Sequence, residues 1–161
     1  MAFGESLLGG LVWLGLTFVA AWVGSRFLPD AWFQRLNKPP WNPPNWLFAP
    51  VWTVLYLLMA AAAWLVWRRY GIGGALAPLS LFVIQLALNA AWTWLFFGRH
   101  RPQAALVDIV VLWVVLLVLL IEFWRLEPLA GMLMIPYLAW VSFASALNWS
   151  IWRLNPETHT K

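Results

Sequence analysis

Tryptophans and amide side chains are the residues of this chain best suited to hold a ligand. The sequence contains 15 tryptophans and no cysteine, so thiolate catalysis, disulfides and cysteine-ligated metal are excluded. Flat indole rings that converge on a pocket suit a flat, aromatic, apolar ligand, and nearby lysine or arginine could pair with its carboxylates. A porphyrin has this shape and charge. The tryptophans grouped around a proline-rich loop and two polar-faced helices are Trp32, Trp41, Trp46, Trp52, Trp140 and Trp149.

A few polar side chains interrupt the apolar runs. Gln85 and Asn89 stand one helical turn apart, and Trp92 continues the same stripe. An unpaired polar group in hydrocarbon costs several kcal/mol, so this stripe must face inward. A second polar track consists of Thr53, Ser142, Ser145 and Asn148. Hydrogen bonding between helices explains the serines and the threonine better than ligand contact, whereas for Asn89 and Asn148 the two roles are equally supported.

The titratable residues do not form a metal site or a proton relay. His100 and His159 lie far apart, in a loop and near the carboxyl end, which predicts solvent-exposed side chains and no metal. Asp108 lies about two turns into an apolar run, where we expect it to pair with Arg99 or Arg101 near the headgroups. The sequence therefore predicts no required cofactor and makes a proton pump improbable.

The composition requires lipid as the solvent. The chain is 63% hydrophobic and 10% charged, with a mean hydropathy of +0.75, which is too apolar for a soluble domain of 161 residues. Because the apolar runs are continuous and do not alternate, they predict an all-α bundle and not a β-barrel. We predict a single five-helix transmembrane domain, 1–161, with helices near 5–28, 45–69, 77–98, 103–124 and 128–153.

The segment 38–46, KPPWNPPNW, lies in the first loop and contains four prolines. Each proline lacks an amide donor and disfavours helix for the residue before it, so the segment cannot be a membrane-spanning helix. It is predicted to be a stiff lid over a pocket, with an inert connector as the alternative.

Basic residues predict the orientation. One face carries Arg26, Arg35, Lys38, Arg99, Arg101, Arg153 and Lys161, and the other carries Arg68, Arg69 and Arg125. By the positive-inside rule the first loop and the carboxyl end should face the cytoplasm. The net charge of +4 does not indicate nucleic-acid binding, because the charges are scattered at helix ends. Lipid-facing or interfacial positions are predicted for Trp13, Trp64, Trp67, Trp113 and Trp124.

Spaced motifs along most of the chain resemble the translocator protein family, also called tryptophan-rich sensory proteins or peripheral-type benzodiazepine receptors. The first is the segment 32–44, WFQRLNKPPWNPP, followed by Phe48, Pro50, Trp52, Leu55-Tyr56 and Met59. The second is Gln85, Asn89, Trp92 and Phe96-Phe97. The third is 136–140, PYLAW, with Phe143-Ala144, Leu147-Asn148 and Leu154-Asn155.

The resemblance implies a five-helix bundle, commonly a homodimer, with a pocket beneath the first loop for porphyrins and for isoquinoline or benzodiazepine ligands. The ligand-binding positions that it implies are Phe33, Trp41, Trp52, Tyr56, Asn89, Trp92, Trp140, Ala144 and Leu147. Trp52 and Trp140 resemble the tryptophan pair implicated in porphyrin degradation. Close helix approach at Ala20 with Gly24 and at Ala87 with Ala91 suits either dimerisation or packing within the chain.

Three classes of function remain open. A porphyrin-binding sensory protein needs only the pocket and its lid, and we favour it. A transporter of porphyrins or sterols would need two exposed states, and no internal repeat indicates them. An enzyme that degrades porphyrin with light and oxygen would use Trp52 and Trp140. A sterol motif at Leu147, Trp149 and Arg153 lacks the expected tyrosine, and such motifs are weak. The short termini without a transit peptide favour a bacterial membrane.

Overall fold

Five long helices form a bundle in the computed structural model, which describes residues 2–159. Lys161, one of the predicted basic residues, lies outside that range. The helices are α1 (Phe3–Ser25), the short α2 (Ala31–Arg35), α3 (Asn45–Gly74), α4 (Leu76–Thr93), α5 (Pro102–Leu126) and α6 (Pro128–Leu154). A π-helical turn, Trp94–Gly98, continues α4, and a 3₁₀ turn, Pro156–Thr158, follows α6.

The long helices have the length and composition that a bilayer demands. The two shortest spans, α1 and α4 with its π-helical turn, have 23 residues each, about 35 Å at 1.5 Å per residue, against a hydrocarbon core of about 30 Å. Pro102 and Pro128 open α5 and α6, where a missing amide donor costs nothing. The predicted all-α, five-span fold is confirmed.

The end of the second span differs most from the prediction. The second span ends at Gly74 and not near residue 69, because the helix resumes after a single non-helical residue, Gly71, whose φ is +67°. Glycine adopts this left-handed conformation without the steric penalty that a β-carbon would bring. The glycine break predicted here is therefore a kink.

Close packing joins neighbouring helices through small residues. Ala60, Ala62 and Ala63 are buried in α3, and a β-carbon at Gly9 of α1 would collide with the ring of Trp67. Gly24 faces Thr93 of α4, so this small residue serves packing within the chain, whereas Ala87 is exposed on α4.

Two sequence-based placements are wrong. Trp13 does not face lipid, because it is buried edge-to-face against Phe82 with ring centroids 5.7 Å apart. Asp108 does not pair with Arg99 or Arg101, because no ion pair of Asp108 occurs within residues 2–159. One of its carboxylate oxygens is buried without a hydrogen-bond partner there.

Candidate ligand-binding site

An aromatic pocket lies under the first loop, between the start of α3, the π-helical turn and the second half of α6. It encloses a cavity of about 20 Å³, room for about one water molecule. Nearly all of its lining is apolar. The lining residues are Phe33, Phe48, Trp52, Trp92, Phe96, Phe97, Trp140, Phe143, Ala144, Leu147, Asn148 and Ile151.

The first loop places Phe33 in this pocket by means of a helix cap. Asp30 caps α2, and its carboxylate accepts a hydrogen bond of 3.1 Å from the Phe33 amide. Phe33 is only 2% exposed and packs edge-to-face on Phe96 and Phe97. The cap therefore stabilises the short helix α2, from which the Phe33 side chain enters the pocket.

The Asp30 carboxylate also ties the first loop to the loop after α4. It lies 2.9 Å from the His100 ring nitrogen, and Trp32 stacks on that ring with centroids 4.3 Å apart. Burial works to raise the pKa of Asp30, but the hydrogen bonds from Phe33 and His100 and the charge of His100 outweigh it, so the pKa lies below its usual range.

The π-helical turn brings two consecutive phenylalanines into one pocket. Trp92 stacks on Phe96 with centroids 5.5 Å apart and meets Phe97 edge-on at 6.0 Å. Consecutive residues of a regular helix can also line one pocket, as Phe143 and Ala144 of α6 do. A π-turn is a common feature of functional sites, and here it carries Phe96 and Phe97 into the lining.

Trp52 and Trp140 form the wall that faces α2 across the pocket. Their ring centroids are 6.3 Å apart at an interplanar angle of 88°, a favourable edge-to-face geometry. Trp52 also packs on Tyr56 and Tyr137, with centroids 5.6 and 6.1 Å away. The indole pair therefore rests on two tyrosines from different helices.

A chain of hydrogen bonds lies beneath this wall. Tyr56 donates to Asn89 Oδ1 (2.9 Å), Asn89 Nδ2 donates to the Tyr137 hydroxyl (2.6 Å), and Tyr137 donates to Gln85 Oε1 (2.9 Å). All four residues are buried. Each of these side chains uses its neighbour in the chain as a hydrogen-bond partner, so the predicted polar stripe does face inward. These four residues form the floor of the pocket and link α3, α4 and α6.

A second polar contact closes the side of the pocket. Trp92 donates its indole N–H to Asn148 Oδ1 (3.0 Å), and Asn148 Nδ2 donates to the Pro102 carbonyl (2.8 Å). Asn148 is therefore occupied by protein partners.

Trp140 differs from Trp92, because its indole nitrogen is buried and has no acceptor within the described chain. A buried donor without a partner needs an explanation, and an acceptor atom on a ligand would supply one.

The lid segment is fastened at its beginning by a pair of asparagines. Asn155, at the end of α6, accepts from the Asn37 amide and donates to the Asn37 carbonyl, both at 2.9 Å. Asn155 is buried and also donates to the Ile151 carbonyl. The fold thus clamps the first loop to α6 across 118 residues of sequence.

Lys38 is less available to a ligand than its position in the loop suggests. Its ammonium donates to the carbonyls of Gln34 (3.4 Å) and Leu36 (3.1 Å) and lies 4.8 Å from the Phe33 ring centroid. Burial lowers the pKa of Lys38. Arg35, by contrast, is exposed in the last turn of α2.

The structure brings most of the predicted ligand positions together and leaves a few outside the lining. Trp41 is 46% exposed and packs edge-to-face on Phe143, as part of the lid above the pocket. Tyr56 and Asn89 lie in the floor. The predicted positions that line the pocket are Phe33, Trp52, Trp92, Trp140, Ala144 and Leu147.

Sequence reasoning assigned no site role to several lining residues. Phe48, Phe96 and Phe97 already stand in the family motifs, and their spacing relative to Trp52 and Trp92 was the available signal. Phe143 and Ile151 lie one and three turns beyond Trp140 on α6, so helical spacing could have found them.

Other predicted contributors lie away from the pocket. Trp46 and Trp149 are exposed, so they do not converge with Trp52 and Trp140. Thr53 is exposed and bonds the Ala49 carbonyl of its own helix. Ser142 accepts from the indole of Trp113, and Ser145 bonds the Val141 carbonyl. These hydroxyls serve the helices, and no polar track forms.

The three residues of the sterol-like motif do not share a face. Leu147 is buried in the pocket wall, whereas Trp149 and Arg153 are exposed on the outside of α6. Arg153 lies over the Trp149 ring, 5.0 Å from its centroid.

Comparison with known proteins agrees with the motifs. A family model described as the TspO/MBR family matches residues 12–153. The chain is 43% identical to the tryptophan-rich protein TspO of Chlorobaculum tepidum over 150 residues, which cover 89% of this chain and 93% of that protein. It is 43% identical to the tryptophan-rich sensory protein of Cereibacter sphaeroides over 147 residues (88% and 91%). Identity to the human translocator protein is 39% over 142 residues (85% and 84%).

Proposed function

This chain belongs to the TspO/MBR family and is an integral, multi-pass membrane protein, and from that premise we propose that it is a porphyrin-binding sensory protein. The site is the aromatic pocket beneath the first loop. The same lining suits isoquinoline or benzodiazepine-type ligands, which are smaller flat aromatic molecules.

The observation that carries this proposal is the convergence of indole and phenyl rings from four separate segments on one small cavity. Phe33 comes from α2, Trp52 from α3, Phe97 from the π-helical turn and Trp140 from α6. The rings offer faces and edges to a flat macrocycle. The unpaired Trp140 indole N–H offers one donor.

Binding requires the pocket to expand. A cavity of about 20 Å³ is far below the 300–1,000 Å³ that ligand pockets typically provide. The aromatic rings currently fill the space with each other, so the ligand must replace ring–ring contacts with ring–ligand contacts. The lid segment after the Asn37 anchor is the part of the first loop that would lift. Arg35 then supplies a cation for a ligand carboxylate.

A titration of purified protein with protoporphyrin IX tests the proposal. We expect a red-shifted porphyrin absorption band and quenching of tryptophan fluorescence in the native protein. The double variant Trp52→Phe, Trp140→Phe should bind at least tenfold more weakly. The matched control is Trp124→Phe, an exposed tryptophan at the opposite end of the bundle. Equal affinity in all three proteins would remove the pocket assignment.

A second candidate activity is light-dependent breakdown of the bound porphyrin. The contact between Trp52 and Trp140 favours it, because indole is redox-active and both rings line the pocket. Illumination in the presence of oxygen should then yield a stoichiometric product that declines in the Trp52→Phe and Trp140→Phe single variants. Bleaching that continues unchanged in both variants would indicate free photochemistry.

Transport, homodimerisation and orientation stay as separate proposals. Porphyrin or sterol flux into sealed proteoliposomes would distinguish a transporter from a sensor.

Ala87 is exposed on α4 and offers a surface for a second copy of the chain. If that surface is used, Ala87→Trp should lower the dimer fraction. We place the first loop in the cytoplasm of a bacterial cell, which labelling of Arg35→Cys in intact cells would test.

A further inference from the structure

The two ends of the bundle differ in charge. The end that carries the first loop has six described cations, Arg26, Arg35, Lys38, Arg99, Arg101 and Arg153, against the acids Asp30 and Glu157 and, six residues into α5, Asp108. The opposite end has the three arginines Arg68, Arg69 and Arg125 against the three acids Glu5, Glu122 and Glu127. The first end is therefore strongly basic, whereas the second is neutral.

Ion pairing sharpens this difference. At the neutral end Arg69 lies 2.9 Å from Glu127 and Arg125 lies 3.6 Å from Glu122. At the basic end, the acid–base contact found within residues 2–159 is that of Asp30 with His100. None of the basic-end arginines has a carboxylate within 4.0 Å in the described part of the chain. Their charge is left for an external anion.

Three of these arginines lie over outward-facing tryptophans. The guanidinium of Arg26 is 5.1 Å from the Trp22 ring centroid, and that of Arg99 is 5.8 Å from the Trp94 ring centroid. Arg153 lies over Trp149 in the same way. Trp22 and Trp94 are 61% and 44% exposed, and each lies near an end of its membrane-spanning segment, the region where indoles are enriched. A guanidinium that lies over an indole ring still has N–H donors to offer to phosphate oxygens.

The Arg26–Trp22 pair and the Arg99–Trp94 pair lie on neighbouring segments of the bundle. Gly24 of α1 packs on Thr93 of α4, and Phe27 lies against Gly98 at the end of the π-helical turn. Arg26 and Arg99 are each the chain neighbour of one of these contact residues. Both arginines are therefore anchored beside one seam, between α1 and the extension of α4.

We propose that this seam is a binding site for anionic phospholipid headgroups. Arg26 and Arg99 hold the phosphate, while Trp22 and Trp94 contact the upper acyl chains. Arg153 on Trp149 provides a further contact around the same rim. Zwitterionic lipid carries a compensating ammonium, so the site should prefer phosphatidylglycerol to phosphatidylcholine.

Native mass spectrometry on protein from mixed phosphatidylglycerol and phosphatidylcholine nanodiscs tests the proposal. We expect retained phosphatidylglycerol on the native protein. The variant Arg26→Gln, Arg99→Gln should lose roughly 25-fold in apparent affinity, about fivefold per charge removed. Binding should also weaken in high salt, which screens exposed charges. Porphyrin binding by the same variant checks that the fold is intact.

The matched control is Arg68→Gln. Arg68 lies 4.8 Å from the Trp64 ring centroid, with the same arginine-over-indole geometry at the neutral end. It should retain the native preference for phosphatidylglycerol. An equal loss in Arg68→Gln, or no loss in the double variant, would overturn the proposal.

A competition arm separates a lipid from a free anion. Inorganic phosphate and glycerol phosphate at millimolar concentration should displace little bound lipid, because they lack acyl chains for the two indoles. Full displacement by either would show a small-anion site, and the lipid assignment would be wrong.

Discussion

The two hydrophobic clusters of the molecule differ in the types of side chain they contain and in the regularity of the backbone around them. The larger cluster is rich in aliphatic and small residues on regular helices, such as Ala62, Val66, Leu116 and Leu119. The smaller cluster lies under the first loop and is mainly aromatic, with Phe33 and Phe96 among its members. It is enclosed by a capped short helix, a π-helical turn and a proline-rich segment.

The difference shows where a pocket can form in this bundle. Small and aliphatic side chains on regular helices interdigitate closely. Large rings on the short α2 and the π-helical turn meet edge-on, as Phe33 meets Phe97, and a cavity lies among them. Irregular backbone near a membrane is tolerated where protein covers it, and here the lid does so.

Phe123→Ala should produce the largest loss of stability. Phe123 is fully buried in the regular cluster and stacks on Phe82, so its removal should cost about 3–5 kcal/mol of unfolding free energy. Val118→Ala, on the exposed side of α5, should cost much less. Unfolding in detergent measures both. Porphyrin affinity of the folded Phe123→Ala protein should stay within about twofold, and a larger loss would show that the two clusters are not separate.

Asn89→Leu should have the next largest effect, because it breaks the hydrogen-bonded floor that links α3, α4 and α6. It leaves the hydroxyl of Tyr56 without its acceptor and that of Tyr137 without its donor, which should cost about 2–3 kcal/mol. Adding Tyr56→Phe should recover part of that loss, since it removes one stranded hydroxyl. Additive losses in a double-mutant cycle would show that the hydrogen bonds act independently.

Asn155→Ala should loosen the lid more than the bundle. It removes the bonds with the Asn37 amide and carbonyl, so hydrogen exchange at the Asn37 amide should accelerate by roughly tenfold for about 1.4 kcal/mol lost. Porphyrin should dissociate faster, with a small change in Tm.

Asn37→Ala is the matched control for the lid anchor. The clamp uses the Asn37 backbone, and the side chain adds a single bond to the Leu154 carbonyl at 3.4 Å. This variant should behave nearly like the native protein. A dissociation rate as fast as that of Asn155→Ala would contradict the assignment of the clamp to Asn155.

Acid should weaken the cap of α2, with the smallest effect. The lowered pKa of Asp30 means that its stabilising contribution is present above the unfolded value of about 3.9 and is lost as pH falls through the folded value. Because the side chain is partly exposed, the contribution should be below about 1 kcal/mol. Comparing Tm of the native protein and Asp30→Asn from pH 6 down to pH 2 measures it. A difference that does not shrink over this range would show that Asp30 acts otherwise than through its charge.

Hydrophobic periodicity and proline positions were sufficient to predict the fold and much of the pocket. Five apolar runs of spanning length predicted the bundle, and the segment 38–46 predicted an irregular cover. The motifs around Trp52, Trp92 and Trp140 predicted residues that line one cavity. Roles at single positions were harder to predict, because Trp13 and Trp149 have the same side chain and only their helix faces place one inside and the other outside.

Composition and local pattern by themselves determined that the chain is helical, that it crosses a membrane five times and that its first loop cannot be helical throughout, because these properties depend on residues close together in sequence. Only the tertiary structure decided which polar groups hydrogen-bond to one another, that the cavity is small, that Asn155 holds Asn37 and that the arginines of one end have no carboxylate partner among residues 2–159. Those outcomes depend on contacts between residues far apart in the chain, whose geometry no local pattern encodes.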